Sequence, residues 1–112
     1  MAKKHEVIIV GMGLASLAAA ARLNELGVKD IGIYTTAYGG TPYIAAINFV
    51  LPDNPYGDTI GQYNDDMIHA GYGINNKTLV QDMAASTMEG YKLLCRWGVE
   101  FAKNEDGTTK LR

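Results

Sequence analysis

Short apolar runs and one alanine-rich segment alternate in the first part of the chain. Val7–Val10 is an unbroken run of β-branched side chains, which is typical of a strand buried on both faces of a parallel sheet. Residues 14–26 are rich in alanine and leucine and predict a helix that ends at Gly27, a favourable C′ residue. A second apolar strand is predicted over residues 31–34. The pattern therefore indicates one β-α-β nucleotide-binding unit.

The middle of the chain is rich in turn-forming residues. Residues 37–43 form a glycine-rich segment with one proline, which predicts a loop that turns sharply and then runs extended. Residues 44–51 are mostly apolar, and their periodicity does not distinguish a helix from a strand. The cluster of proline, asparagine and glycine in residues 52–57 predicts a surface turn.

Two amphipathic helices are predicted after this turn. We expect Asp58 to cap the first, which closes at the glycine at position 71 or 73. Either Asn75 or Asn76 caps the second, a helix of about twenty residues that ends at Gly98. One stripe of that helix carries the side chains expected to face a core: Leu79, Val80, Met83, Thr87, Tyr91, Leu94 and Cys95.

The last residues indicate a β-hairpin. Val99 and Phe101 resemble its first arm, residues 104–107 its polar turn, and residues 108–111 its second arm. The predicted fold class is therefore α/β, a Rossmann-like β-α-β dinucleotide-binding unit followed by two helices and a hairpin.

The turn between the first strand and the helix carries the candidate chemistry. Gly11 permits a tight turn, and Gly13 lets the backbone approach a pyrophosphate at the positive end of the helix dipole. The third position of the G-x-G-x-x-G fingerprint is Ser16, which is small enough for close packing. Because the intervening side chains carry no charge, backbone N–H groups, including those of Leu14 and Ala15, are expected to hold the phosphate.

The acidic residue that usually binds the ribose of NAD is missing. The second strand ends at Thr35 and Thr36, and Asp30 lies at its opposite end. A threonine hydroxyl makes fewer hydrogen bonds to a ribose than a carboxylate does. This difference weakens the case for an ordinary NAD site, although an NAD-binding Rossmann protein stays an alternative.

A secretory signal peptide is a second interpretation of the same segment. Lys3, Lys4, the apolar run and the alanines at 18–21 imitate its three regions. Glu6 and two glycines interrupt the apolar run, however, and residues 22–26 continue the same helix. We therefore favour nucleotide binding.

Composition narrows the remaining classes. The chain has 112 residues, enough for one small domain. Its net charge of −2 and lack of a basic stripe argue against nucleic-acid binding. A single cysteine excludes an internal disulfide and a thiol metal cluster.

The remaining polar residues indicate no catalytic or metal site. His69 has no neighbouring group in the sequence that would make it a ligand or a base. Asp65 and Asp66 indicate a solvated helix face, and residues 1–5 are expected to be a solvated lead-in. We predict no metal site, no membrane-spanning segment and a cytoplasmic location.

The order of these segments resembles the N-terminal part of the fumarate reductase, succinate dehydrogenase and L-aspartate oxidase flavoproteins. Members share the glycine fingerprint, a serine or threonine in place of the ribose acid, and a loop entering an A-x-G-G-I-N-like segment, here residues 39–48. An acidic helix similar to residues 66–71 follows in the family. The ending seen here at 97–101 and 105–107 completes the resemblance, which covers nearly the whole chain.

The resemblance implies FAD as the cofactor. Several members attach FAD covalently through a histidine in this loop, and none stands between Gly39 and Asn48, so noncovalent binding is expected. Ala45 and Ala46 replace the family's paired glycines, which changes how closely the backbone can approach the flavin. The implied contacts are Gly11, Gly13 and Ser16 for the ADP half, Thr35 and Thr36 for the ribose, and Gly40 and Thr41 for the pyrophosphate or flavin edge.

Members of this family are several hundred residues long, and the groups that bind a dicarboxylate and move protons are not in this sequence. We therefore expect residues 1–112 to be a partial FAD-binding domain, a fragment or one subunit of a split enzyme, without the capping domain and without assignable catalytic residues. The expected partner is the remainder of the flavoprotein, a second subunit or, by self-association, a second copy of the chain. The third alternative is a noncatalytic interaction module with a degenerate nucleotide fold.

Overall fold

Two parallel strands and three helices make up the described part of the chain. The computed structural model describes residues 4–40, 43 and 47–111. The chain divides into two units, Met1–Ile47 and Asn48–Arg112. The elements within the described ranges are, in order, β1 (Val7–Val10), α1 (Leu14–Glu25), β2 (Ile31–Tyr34), α2 (Ile60–Ala70) and α3 (Lys77–Arg96).

The first unit contains the predicted β-α-β arrangement. β1 and β2 pair in parallel, with Val7 opposite Ile31 and Val10 opposite Tyr34. The helix α1 connects them and packs on β1. It stops one residue earlier than predicted, and Gly27 follows the C-cap with a φ of +97°. The α/β class and the positions of these three elements are therefore confirmed.

The predicted burial of β1 on both faces is wrong. Alternate residues of the strand are exposed, Ile8 by 56 % and Val10 by 84 %. Successive side chains of a strand point to opposite faces, so Ile8 and Val10 share one face. Among the described residues of this unit, α1 is the helix that packs on the two-stranded sheet, and one helix covers one face.

The second unit is built on α2 and α3, which pack against each other. The predicted cap Asp58 is wrong, because the hydroxyl of Thr59 accepts the first-turn N–H of Gln62 at 3.1 Å. Asp58 is held one residue outside the helix by the side chain of Asn54, which bonds both its N–H and its carbonyl. The predicted cap Asn76 is confirmed for α3.

The buried side chains of this unit lie along α3. The apolar stripe is displaced from the predicted one: Leu79 and Met83 are exposed by 65 % and 43 %, and Cys95 is also exposed. Phe49, Tyr91 and Phe101 form an aromatic group beside it, with ring centroids 5.1 to 5.8 Å apart. The side chains that are buried on this helix are Val80, Ala84, Thr87 and Leu94.

The predicted hairpin near the end of the chain is reduced to one antiparallel bridge, between Lys103 and Thr109. The chain does double back there, since the N–H of Asn104 donates to the Thr108 carbonyl at 2.8 Å. Neither arm forms a strand within the described residues. The segment left open between helix and strand was 44–51. Residues 47–51 adopt neither, and residues 44–46 lie outside the described residues.

Candidate cofactor site

The turn after β1 has a backbone shape that favours glycine. Gly11 has a φ of +103°, a region that L side chains rarely adopt. Its N–H donates to the Tyr34 carbonyl at 2.8 Å and so continues the parallel ladder one residue past β1. A Cβ added at Gly11 would lie 3.7 Å from the Ser16 Oγ atom. The structure therefore brings the first and third positions of the fingerprint together.

The amino end of α1 is open. Gly13 is the N-cap, no side chain among the described residues caps this end, and the first turn holds no acidic residue. Leu17 is the first residue whose N–H bonds back, to the Gly13 carbonyl at 3.1 Å. The N–H groups of residues 14–16 precede it and have no partner within the helix. A Cβ added at Gly13 would meet nothing within 4 Å, so space is open beside these donors. Such an end suits a phosphate.

The loop after β2 returns to this turn. The N–H of Gly39 donates to the Met12 carbonyl at 2.9 Å. Because parallel strands end at the same edge of a sheet, this loop and the turn after β1 lie together. The structure thus gathers the predicted residues Gly11 and Gly13 with the loop that carries Thr35 and Thr36. Their role in binding stays a prediction.

Thr35, one of the predicted ribose contacts, is already engaged within its loop. Its hydroxyl donates to the Ala37 carbonyl at 2.5 Å, and the Ala37 N–H donates back to it at 3.3 Å. The hydroxyl proton is therefore used locally, and Thr35 can offer a ribose only an acceptor. Thr36 and Gly40 are exposed. The predicted contact Thr41 lies outside the described residues.

Comparison with known proteins identifies this arrangement. A family model described as an FAD binding domain matches residues 6–112. The chain belongs to this family. The family is that of the fumarate reductase, succinate dehydrogenase and L-aspartate oxidase flavoproteins, as the resemblance implied.

The relatives of this FAD-binding domain include two kinds of flavoprotein. The acrylate reductase flavoprotein subunit of Shewanella woodyi is 31 % identical over 107 residues, which cover 88 % of this chain. The L-aspartate oxidases of Pyrococcus furiosus and Pyrococcus abyssi are 31 % and 37 % identical, each over 89 % of the chain. The matched region spans 21 % of the length of each relative. No solved structure is significantly similar to the chain.

A cluster that sequence analysis did not predict lies along β2. His5 bonds Asp30 through Nδ1 at 2.7 Å, and its side chain is only 8 % exposed. Its ring lies 5.9 Å from that of Tyr34, and a Cβ on Gly32 would lie 2.6 Å from the His5 Cδ2 atom. The expectation of a solvated lead-in is therefore wrong for His5. The sequence held one signal for this contact, Gly32 within a short apolar strand, because a glycine there marks close approach of another group.

The second unit has a cavity of about 630 Å³, and none of the predicted cofactor residues that the structure describes lines it. Of the described residues, Asp53 and Asp106 line the cavity, and no lysine, arginine or histidine does. His69 is exposed on α2, with its ring 6.5 Å from that of Tyr72. Across the described ranges, no group of three or more potential metal ligands comes together.

No helix in residues 4–40 and 47–111 combines the length and the apolar character that a membrane span requires.

Proposed function

We propose that the first unit holds the ADP half of FAD noncovalently, with its pyrophosphate at the amino end of α1. The observation that carries this proposal is the open helix end behind the Gly11–Gly13 turn. No side chain in the described part of the chain caps it, and its first turn has no acidic residue. Backbone N–H groups and the helix dipole both favour an anion there. The missing Cβ atoms of the two glycines leave room for a phosphate to approach the backbone.

Each predicted contact has a part in this proposal. Gly11 turns the chain, Gly13 admits the phosphate, and the N–H groups of Leu14, Ala15 and Ser16 donate to its oxygens. These donors belong to the backbone and carry no net charge, so the binding energy depends on their orientation rather than on ion pairs.

The remaining contacts are assigned to the loop after β2. We place the ribose near Thr35, as an acceptor, and near the exposed hydroxyl of Thr36, and the pyrophosphate or flavin edge near Gly40 and Thr41. Noncovalent binding is proposed because residues 39–48 contain no histidine.

The proposal extends to the larger protein that the relatives represent. Their names describe an acrylate reductase subunit and L-aspartate oxidases, and both are redox enzymes. We propose that this domain serves a flavin-dependent oxidoreductase, with residues 1–112 forming a partial, Rossmann-like FAD-binding domain. FAD would supply hydride transfer at the flavin. The domain's own residues bind and orient the nucleotide, while a further part of the flavoprotein, a second subunit or a second copy completes the enzyme. A cytoplasmic location stays a prediction.

Titration of the purified chain with FAD, ADP and NAD tests the proposal. We expect FAD and ADP to bind, NAD to bind more weakly, and acid precipitation to release all of the flavin. Leu14→Glu places a negative charge at the phosphate while suiting the start of a helix, so it should weaken FAD binding roughly tenfold. Leu14→Gln is the matched control, because glutamine has the shape of glutamate without its charge. This variant should bind FAD almost as the natural chain does.

The outcomes separate the alternatives. Tighter binding of NAD than of FAD would replace the proposal with an NAD-binding Rossmann protein. A chain that binds no nucleotide but forms a stable complex with another protein would be an interaction module. Flavin that stays with the acid-precipitated protein would contradict noncovalent attachment.

A further inference from the structure

Gly39 lies close to the backbone of the glycine turn. Its N–H donates to the Met12 carbonyl at 2.9 Å. A Cβ added at Gly39 would lie 2.5 Å from the Gly13 Cα and 3.0 Å from both the Gly13 nitrogen and the Met12 oxygen. All three neighbours are backbone atoms, which cannot move aside as the end of a flexible side chain can. Position 39 therefore admits only glycine in this arrangement.

A second contact shapes the same loop. The hydroxyl of Thr35 bonds both the carbonyl and the N–H of Ala37, closing a short side-chain turn directly after β2. This turn bends the chain at the end of the strand. Two residues later, Gly39 meets the turn that precedes α1. The loop is thus held at both ends, by a hydroxyl at Thr35 and by a backbone bond at Gly39.

The bond from Gly39 also sets the orientation of one peptide in the glycine turn. The C=O and N–H of a trans peptide point in opposite directions, so fixing the Met12 carbonyl fixes the direction of the Gly13 N–H. The bond also satisfies an acceptor that would otherwise be open beside the phosphate position. A carbonyl oxygen facing a phosphate repels it, whereas N–H groups attract it.

We propose that Gly39 is a positioning residue for the cofactor site. It touches no reacting atom. It holds the loop after β2 against the Gly11–Gly13 turn and orients the Met12–Gly13 peptide, so that the site is formed before the nucleotide arrives. This inference rests on the proposed function, since the site it prepares is the FAD site.

Gly39→Ala in the full chain tests the inference. We expect FAD to bind roughly tenfold to a hundredfold more weakly, because a site that is no longer preorganised must be ordered at the cost of binding energy. The matched control is Gly61→Ala, since a Cβ at Gly61 in α2 would meet only the Thr59 Oγ1 atom, at 3.8 Å. That variant should bind FAD as the natural chain does.

Amide hydrogen exchange without FAD gives a readout that does not depend on binding. In the natural chain we expect the Gly39 N–H to be protected, and in Gly39→Ala we expect exchange to rise in residues 35–40 while α1 stays protected. Thr35→Val removes the hydroxyl and keeps the side-chain shape. It should cause a smaller change of the same kind, and it serves as the second variant if Gly39→Ala does not fold.

Failure of the proposed function can be distinguished from failure of the positioning role of Gly39. If the natural chain binds no FAD, the proposed function fails, and rapid exchange of the Gly39 N–H in that chain would overturn the positioning role as well. If the natural chain binds FAD but Gly39→Ala binds it equally well with an unchanged loop, the positioning role alone is wrong.

Discussion

The two units of this domain differ in what defines their structure. In the first, α1 has no buried residue, and the buried groups among the described residues are Gly32 of β2 and the side chain of His5. Its geometry comes from backbone features: the parallel ladder, the φ of Gly11 and the contact of Gly39 with the glycine turn. In the second unit, the side chains of α3 form a core, with Ala84 only 1 % exposed.

With FAD placed in the first unit as proposed, the contrast is one between binding and packing. A phosphate site built from N–H groups needs an exact backbone path and open space, and neither requires large side chains in a core. Such a unit gains stability from its ligand, since binding to the folded state alone lowers its free energy. A unit held by a side-chain core has no such dependence. Mutations should therefore affect the two units in different ways.

The largest expected effect concerns the core of the second unit. Leu94→Ala removes a buried side chain from α3, and such truncations cost about 2–5 kcal/mol in the free energy of unfolding. Leu79→Ala is the matched control, because Leu79 lies on the same helix and is 65 % exposed. It should change stability by less than about 0.5 kcal/mol. Denaturant unfolding of both variants measures this, and equal effects would contradict the core described for α3.

The next effect concerns backbone strain in the first unit. Gly11→Ala forces a side chain into a positive φ and should cost about 1–3 kcal/mol. It should also weaken FAD binding. Gly107→Ala carries a similar strain in the second unit, where φ is +85°, and should leave FAD affinity unchanged. FAD titration of the two variants separates the effect of backbone strain from an effect on the binding site. An equal loss of FAD affinity in both variants would contradict the difference between the units.

The smallest effect is a pH dependence in the second unit. The Thr108 hydroxyl and N–H both donate to Asp106, at 2.6 and 2.9 Å, and lower the pKa of its carboxyl below the ordinary 3.8. Because the pKa is lower in the folded chain, this stabilisation is complete above the unfolded pKa and is lost as pH falls through the folded one.

An NMR titration of the Asp106 carboxyl in the natural chain and in Thr108→Val measures this shift. The valine cannot donate, so the pKa should rise toward 3.8 while the backbone N–H keeps part of the effect. Identical titration curves would show that the hydroxyl has no part in it. FAD binding in the first unit should not follow this titration.

The sequence was sufficient where a local residue decides the structure. Gly27 and Gly98 mark helix ends because glycine suits the positive φ that each adopts, +97° and +90°. Asn76 caps α3 because its short side chain reaches two N–H groups. The apolar run of β1 predicted the strand but not its exposure, since a run of side chains does not show how many layers cover it.

Several errors come from contacts that helix and strand patterns do not show. Asp58 and Thr59 are both good caps, and Asn54 decides between them by binding Asp58 outside the helix. The His5 side chain is buried because it bonds Asp30, just before β2, and packs on Gly32 of β2. Within the candidate cofactor site, the glycine fingerprint could be recognised from the sequence. The contact between Gly39 and Gly13 was not, because no spacing rule links the two positions.

The contact at Gly39 has a consequence for how this domain can vary. Leu14 and Ala15, the proposed phosphate contacts, would donate through backbone N–H groups, so neutral side chains could replace theirs with little loss. Gly39 has no conservative replacement, since every other amino acid adds a Cβ. In a library that samples all amino acids at each position, the least tolerant residue of this loop should be one that makes no direct contact with the cofactor.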